Sequence, residues 1–304
     1  MKRLFATRNR AAAELARNLA RMAATDLPIL IEGETGSGKS FVAQRLHRAS
    51  RPDLPLVTVD CGAFPETLFV SELFGHVAGA FTDATRARPG AFARAGAGTL
   101  VLDRLDVLPT GAQVALLRVL EERRFTPLGT SSHRHARARV IALVDTGVDG
   151  AVSEGRLRAD LYHRLGGFRA RLLPLRQRPE DIVPFARKVM TRQAHRLGRE
   201  LRMTSEVQEV LRRYPWPGNF RELEAVITRA TMATESTTIG VRNLDLPAPP
   251  WATPNEPGGG PIAPLRDAMR AYALAVLSGE GGNVSRAARA LGISRRTLIR
   301  WRQK

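Results

Sequence analysis

The residues Gly33-Glu34-Thr35-Gly36-Ser37-Gly38-Lys39-Ser40 carry the spacing G-x-x-x-x-G-K-[ST]. Glycines so placed let successive backbone N–H groups turn toward one anion at a helix amino terminus. The lysine of such a loop reaches β- and γ-phosphate oxygens, and the hydroxyl after it ligates Mg²⁺. The context agrees, because an apolar run, Leu27–Glu32, precedes the loop and a helix-compatible run from Phe41 to Ala49 comes after it. All eight residues are therefore expected to bind a nucleotide, against the plainer reading of a glycine turn without a ligand. Thr99-Leu100-Val101-Leu102-Asp103 is an apolar strand ending in a carboxylate, the usual way to place an acid in the shell of a nucleotide-bound Mg²⁺. Ser40 and Asp103 are the expected metal residues. For Asp103 the alternative is an aspartate that merely ends a strand in a turn.

Groups like these need strands that end side by side. Leu27–Glu32, Leu56–Asp60, Thr99–Asp103 and Arg139–Val144 are β-rich runs separated by helix-length segments, with Phe168–Leu173 as a fifth. Near-continuous apolar strands alternating with helical patterns such as Ala112–Arg123 predict a parallel sheet covered on both faces. From Arg178 onward the pattern is helical only, over Glu180–Leu197, Ser205–Arg213 and Asn219–Thr234, which predicts a helical lid. Seven prolines and Gly258-Gly259-Gly260 fall between Pro247 and Pro264, the composition of a linker. Fully extended as polyproline, it would reach on the order of 55 Å at about 3.1 Å per residue. Leu265–Lys304 is helical in pattern, with nine basic and two acidic residues. The expected division is an α/β nucleotide domain over 1–170, a lid over 171–246, a linker over 247–264 and a small all-α domain over 265–304.

Composition sets outer bounds. A chain of 304 residues, 43% apolar, is long enough for about two domains and too apolar to be largely disordered. One cysteine, Cys61, excludes a disulfide framework, and no apolar segment long enough to span a membrane or serve as a signal core occurs, so a cytoplasmic protein is expected. The net charge of +18 calls for a polyanionic partner. Only four of the 47 basic residues are lysine, however, and an arginine bias also arises from genome composition. Clustering, rather than the total, must therefore carry the inference.

Read in order, six motifs make the chain resemble the AAA+ activators of sigma-54 RNA polymerase, the bacterial enhancer-binding proteins. They are the P-loop; Ser71-Glu72-Leu73-Phe74-Gly75-His76 with Gly79-Ala80-Phe81-Thr82-Asp83-Ala84; the Asp103 strand ending at Leu108-Pro109; Gly155 to Leu165; Leu173-Pro174-Leu175-Arg176; and Tyr214 to Leu223. The resemblance covers nearly the whole chain. It implies a homo-oligomeric ring, usually a hexamer, with ATP between subunits. Arg158 and Arg164 would then be arginine fingers reaching a neighbour's γ-phosphate, a role suited to an always-charged planar donor. Arg221 matches the lid arginine that contacts phosphate. Asn219 and Glu222 fit an N-cap and capping box, which places Arg221 in a first helical turn, where a cation opposes the macrodipole. With Asp103, these three arginines form the expected catalytic set. Residues Gly79, Ala80, Phe81, Thr82, Asp83 and Ala84 are the implied sigma-54 contact.

The chain also departs from the family's pattern. The glutamate that activates water is Arg104, and a guanidinium cannot accept a proton. The asparagine expected after the second strand is Asp60, and a threonine-asparagine pair is Val144-Asp145. Losing a general base costs about 10²–10⁴ in rate, so ATP is expected to bind and turn over slowly. Arg104 is expected to pair with Asp60 or Asp145. Asp83 replaces a turn glycine, a place where aspartate tolerates left-handed backbone better than most residues.

At the carboxy terminus, Asn283 to Trp301 has the layout of a Fis-type helix-turn-helix. Leu291-Gly292-Ile293 forms the turn and Ser294 the N-cap of the second helix. Arg295, Arg296 and Thr297 lie in the turn that meets base edges, and Arg300, Arg302 and Lys304 face phosphates. Ala268, Tyr272, Ala275 and Val276 form an apolar stripe suited to a dimer or to the domain's own core.

The reading that unites these features is an ATP- and DNA-binding regulator acting on RNA polymerase sigma-54 holoenzyme, with weakened hydrolysis and no membrane partner. Because the P-loop starts near the amino terminus, no sensory domain is expected before it. Two other readings compete: a non-hydrolysing, ATP-switched DNA-binding regulator or repressor that does not use sigma-54, and a P-loop ATPase that remodels DNA. The last leaves Ser71 to Ala84 unexplained.

Overall fold

The computed structural model describes residues 4–246, and in the carboxy-terminal part residues 269, 272–273, 276–277 and 284–303. Two compact units result, Met1–Pro249 and Pro250–Lys304. The proposed linker over 247–264 lies outside the described residues.

The first unit is built on five parallel strands: β1 (Ile29–Glu32), β2 (Leu56–Asp60), β3 (Thr99–Asp103), β4 (Arg139–Val144) and β5 (Phe168–Arg171), in the order β2-β3-β4-β1-β5. Alternate residues face opposite sides, as the strand period of two requires. Ile29, Ile31, Val101, Ile141 and Leu143 enter one core, packed against helix α1 (Arg10–Met22) through Leu19 and helix α2 (Lys39–Ser50) through Val42 and Leu46. Leu30, Leu100, Leu102, Val140, Ala142 and Val144 enter the other. That second core is covered by α3 (Glu66–Phe74), α4 (Ala91–Ala95), α5 (Thr110–Glu122), α6 (Val148–Ser153) and α7 (Ala159–Leu165). Burial on both faces explains why the strands read as unbroken apolar runs. The structure narrows two of the expected strands: the first begins at Ile29 rather than Leu27, and the fifth ends at Arg171.

The lid comprises α8 (Pro179–Arg196), α9 (Ser205–Arg213) and α10 (Asn219–Ala233) around Trp216, which is fully buried with its indole N–H donated to the Leu211 carbonyl at 2.8 Å. One cap differs from expectation. Gly218, not Asn219, is the N-cap of α10, and the Glu222 carboxylate accepts from the Gly218 amide at 2.7 Å. Asn219 has φ 53°, a left-handed conformation that asparagine tolerates, and its carboxamide turns away from the helix.

In the second unit, helices α11 (Val284–Ala290) and α12 (Arg295–Gln303) pack through Ala287, Ala288 and Leu298 onto Ala273 and Leu277. Ala273 and Leu277 take the inward positions, and Tyr272 is 55% exposed. Of the expected stripe, Val276 packs against this core, whereas Tyr272 does not. Periodicity defines a face, but the inward side of the stripe is decided by packing. Ala268 and Ala275 lie outside the described residues.

The amino-terminal segment is tied to the lid by a buried carboxylate. Asp181 accepts from the Thr7 hydroxyl at 2.5 Å, the Arg8 amide at 2.6 Å and two Arg178 N–H groups at 2.9 and 2.7 Å. Burial alone would raise the Asp181 carboxyl. The hydrogen bonds from Thr7, Arg8 and Arg178 outweigh it and hold the group below the usual carboxylate range. A depressed folded pKa means that this contribution is present above the unfolded value and is lost as pH falls through the folded one. Asp181→Asn leaves Arg178 buried without its counter-ion, and is expected to cost about 3 kcal/mol in urea unfolding at neutral pH. The difference from wild type should shrink as pH is lowered below about 4.

Candidate functional site

The P-loop follows β1, between the carboxyl end of β4 and the amino end of α10. Its glycines do what their type permits. Gly36 has φ 76°, and a Cβ there would meet the Gly218 carbonyl oxygen at 2.2 Å, so only glycine lets the loop pass under the lid. Gly38 has φ 102° and nothing near the position of a Cβ, leaving the amino end of α2 open for an anion. Such a loop fits a nucleotide phosphate. Ser40 is exposed, while Ser37 is buried and its hydroxyl has no hydrogen-bond partner.

Lys39 is held on three sides. Its ammonium donates to the Gly33 carbonyl at 2.6 Å and the Glu34 carbonyl at 3.4 Å, and it forms an ion pair with Asp145. The second Asp145 oxygen accepts from the Thr35 hydroxyl at 3.4 Å. This contact is dictated by register: Glu32 pairs with Val144, and the Gly33 amide donates to the Val144 carbonyl at 3.3 Å, so the next residue after β4 must stand beside the P-loop.

At the same edge Asp60 and Asp103 are register partners on β2 and β3. Asp103 forms no side-chain hydrogen bond or salt bridge among the described residues. Arg104, in left-handed backbone at φ 57°, turns back on Asp60 with Nε to Oδ1 at 2.8 Å and Nη2 to Oδ2 at 2.6 Å. Of the two partners expected for Arg104, the structure selects Asp60. Hydrogen bonding to Asp60 also raises the Arg104 guanidinium above its usual value, so the position carries a fixed positive charge.

Lid and P-loop are joined by a knot centred on Glu34 and Asn219. Glu34 receives a bidentate pair from Arg176 at 2.8 and 2.6 Å. This contact, foremost, holds the Glu34 carboxyl below the usual range. The Asn219 carboxamide donates to Glu34 at 3.1 Å and to the Thr35 carbonyl at 3.0 Å, and accepts the Leu175 amide at 2.6 Å. The Phe220 amide donates to the Gly36 carbonyl at 3.0 Å. Arg221 lies one residue further on, exposed, without a side-chain hydrogen bond or salt bridge among the described residues, and its Cβ is 3.2 Å from where a Gly36 Cβ would be.

The remaining sequence-predicted residues lie away from this cluster. Arg158 is exposed and bidentate on Asp160 at 3.1 and 2.7 Å, with its amide donated to the buried Gln113 at 2.8 Å. Arg164 is exposed and donates to the Leu120 carbonyl at 3.3 Å. In the loop over 77–86, Gly79 has φ 80°, and the turn closes through Gly79 N–H to the Ala84 carbonyl at 2.8 Å. Asp83 does not take a left-handed conformation, so the loop closes without one at this position. Phe81 is 37% exposed and propped edge-on against His76, their ring centroids 4.9 Å apart. Thr82 and Asp83 are exposed and Ala84 is buried. In the second unit Ser294 caps α12 as expected, accepting the Thr297 amide at 3.1 Å. Arg295, Arg296 and Arg300 are exposed on α12, whereas the Arg302 side chain lies outside the described residues. Among the described residues no cluster of three or more His, Cys, Asp or Glu side chains forms a metal site, and no helix is long and apolar enough to cross a membrane.

Family comparison agrees with this geometry. Residues 5–170 match the sigma-54 interaction domain. The chain belongs to that family. Residues 176–249 match the AAA+ ATPase lid domain, and residues 270–304 match the bacterial regulatory proteins of the Fis family. The nitric oxide reductase transcription regulator NorR2 of Cupriavidus necator is 42% identical over 95% of this chain and 60% of its own length. The transcriptional regulatory protein ZraR of Klebsiella oxytoca is 40% identical over 94% of this chain and 65% of its own. The chain thus spans about three fifths of the length of these curated relatives. The crystal structure of NtrX from Brucella abortus in complex with ATP aligns at a TM-score of 0.73 and 28% identity, covering 98% of this chain and 68% of that one.

Across the sigma-54 interaction domain and the lid, the sequence singles out Lys39, Asp103 and Arg221 but not the knot of Glu34, Arg176 and Asn219. Glu34 was read only as a P-loop position and Asn219 only as a cap. The signal available was a long-range one, an asparagine after Trp216-Pro217-Gly218 that its own helix does not need. Asn219→Ala would strand the buried Leu175 amide and cut both carboxamide donations, costing about 2 kcal/mol. In amide hydrogen exchange, Leu175 and Phe220 should exchange faster by about tenfold or more, while Leu102 in the sheet core stays unchanged.

Proposed function

We propose that the chain is a nucleotide-controlled transcription regulator that reads DNA through Arg295, Arg296, Thr297, Arg300 and Arg302 and acts on RNA polymerase sigma-54 holoenzyme through Gly79 to Ala84. The first unit binds Mg²⁺-nucleotide and assembles into a homo-oligomeric ring, in which Arg158 and Arg164 address a neighbour's site. Residues 33–40 hold the phosphates, Ser40 and Asp103 the metal, and Arg221 reaches in from the lid. When bound, Mg²⁺ neutralises phosphate charge during transfer. The domain division follows the expected 1–170, 171–246, 247–264 and 265–304, and the setting is cytoplasmic.

The observation that carries the proposal of weakened hydrolysis is the bidentate Arg104–Asp60 pair. It stands next to Asp103, where a water-activating base would be needed; one member is a guanidinium, which accepts no proton, and the other has both carboxylate oxygens bonded to it. Hydrolysis is therefore slow, and binding rather than turnover is the working step. Arg104 and the exposed Asp83 also favour the second reading, in which nucleotide switches assembly on DNA and the output is repression without sigma-54.

The pair dictates how the base must be restored. Arg104→Glu alone sets two carboxylates against each other and is expected to leave steady-state phosphate release low. Asp60→Asn with Arg104→Glu removes that repulsion and is expected to raise release by about 10²-fold. Wild-type turnover of about one per second or more, not increased by the double change, would end this reading. For the output, transcription in vitro with sigma-54 polymerase should be weak with the wild-type chain and stronger with Asp83→Gly. Activity that needs neither sigma-54 nor the loop would favour the second reading.

A further inference from the structure

The site holds one carboxylate that neither of these roles absorbs. Asp145 directs both oxygens at the P-loop, one in an ion pair with Lys39 and the other toward the Thr35 hydroxyl at 3.4 Å. We propose that Asp145 is a specificity determinant that makes this site prefer a nucleoside diphosphate to the corresponding triphosphate. This rests on the nucleotide reading above and names which nucleotide the site retains.

The discrimination is electrostatic. A P-loop lysine exists to meet β- and γ-phosphate charge, and here the chain supplies a negative charge to the same ammonium. A diphosphate seated on the backbone N–H groups can share Lys39 with Asp145. A triphosphate brings further charge toward the same ammonium, and so meets the carboxylate as a like charge or has to expel it. Expulsion is restricted from the backbone side, because the Gly33 amide is bonded to the Val144 carbonyl and Val144 is in register with Glu32. Neutralisation in place is restricted too. The guanidinium at the edge of the site, Arg104, is committed with two hydrogen bonds to Asp60, and Arg176 is committed to Glu34. Had Arg104 paired with Asp145, the phosphate side would have been neutral and no preference would result.

Exposure sets the size of the effect. The Lys39 side chain is 12% exposed, but that of Asp145 is 48% exposed, so water screens much of the repulsion. A preference of about tenfold is therefore expected rather than one of many thousandfold.

The test is calorimetry of the full chain with Mg-ADP and with the non-hydrolysable triphosphate Mg-AMPPNP, on wild type, Asp145→Asn and Asp145→Ser. Wild type should bind the diphosphate about tenfold more tightly, and both variants should bring the two affinities within about threefold by tightening the triphosphate. Asp145→Asn is isosteric, and Lys39 keeps two carbonyl acceptors in it, so folding is expected to survive; Asp145→Ser repeats the test without the carboxamide. Equal affinities in wild type, or the same ratio in all three proteins, would overturn this inference and leave the nucleotide reading standing. No heat with either nucleotide in any of the three would overturn both.

Discussion

The chemistry of this molecule depends on one constraint: five parallel strands in the order β2-β3-β4-β1-β5 end along a common edge, so the residues just past each strand are forced into the company of those past its neighbours. Adjacent strands are about 4.8 Å apart. Asp60 and Asp103 are register partners, and the P-loop and Asp145 come directly after the register pair Glu32 and Val144. Three aspartates therefore crowd the edge that a polyanion is to approach. A sheet of this topology gathers ligand groups at its carboxyl ends whatever their charge. The charges that arrive there determine what the site can do.

Arg104 resolves part of that crowding. It takes a backbone conformation that costs a non-glycine residue about 1 kcal/mol or more, and in doing so turns its guanidinium flat onto Asp60. Both members are about half exposed, so their pairing contributes little to overall stability. Its effect is on charge placement. Asp60 is neutralised, Arg104 is withdrawn from any role toward water, and Asp103 is left beside them without an ion pair among the described residues. Asp145, deprived of this arginine, turns to Lys39. Asp60, Arg104 and Asp145 are thus tied up in two ion pairs at the edge.

Much of this was legible in the sequence, for identifiable reasons. Strands buried on both faces produce apolar runs, and a P-loop between strand and helix is a local pattern, so the sheet and the phosphate loop could be drawn from composition and spacing. Ser294 was readable as a cap because its partner, Thr297, is three residues away. Asn219 was misassigned for the complementary reason: its partners, Glu34, Thr35 and Leu175, are 185, 184 and 44 residues distant. The choice of Asp60 over Asp145 by Arg104 was equally hidden, since both acids stand at the ends of strands in the same sheet. Strand order does not separate them, because β3 lies between β2 and β4; the left-handed turn at Arg104 is what lays its guanidinium on Asp60.

The two halves of the P-loop are consequently answerable to different bodies. Before Gly36, Glu34 and the Thr35 carbonyl are bound to the lid through Arg176 and Asn219. After it, Lys39 is bound to the end of β4 through Asp145. Gly36 passes under the Gly218 carbonyl with no room for a methyl group, so the loop cannot shift toward the lid to relieve a strain on the Lys39 side. An anion that competes for Lys39 must therefore contend with the Asp145 carboxylate and not with the loop. The rigidity of the lid contact is what converts a single carboxylate into a discriminating element, because a loop free to move would simply accommodate whichever phosphate arrived.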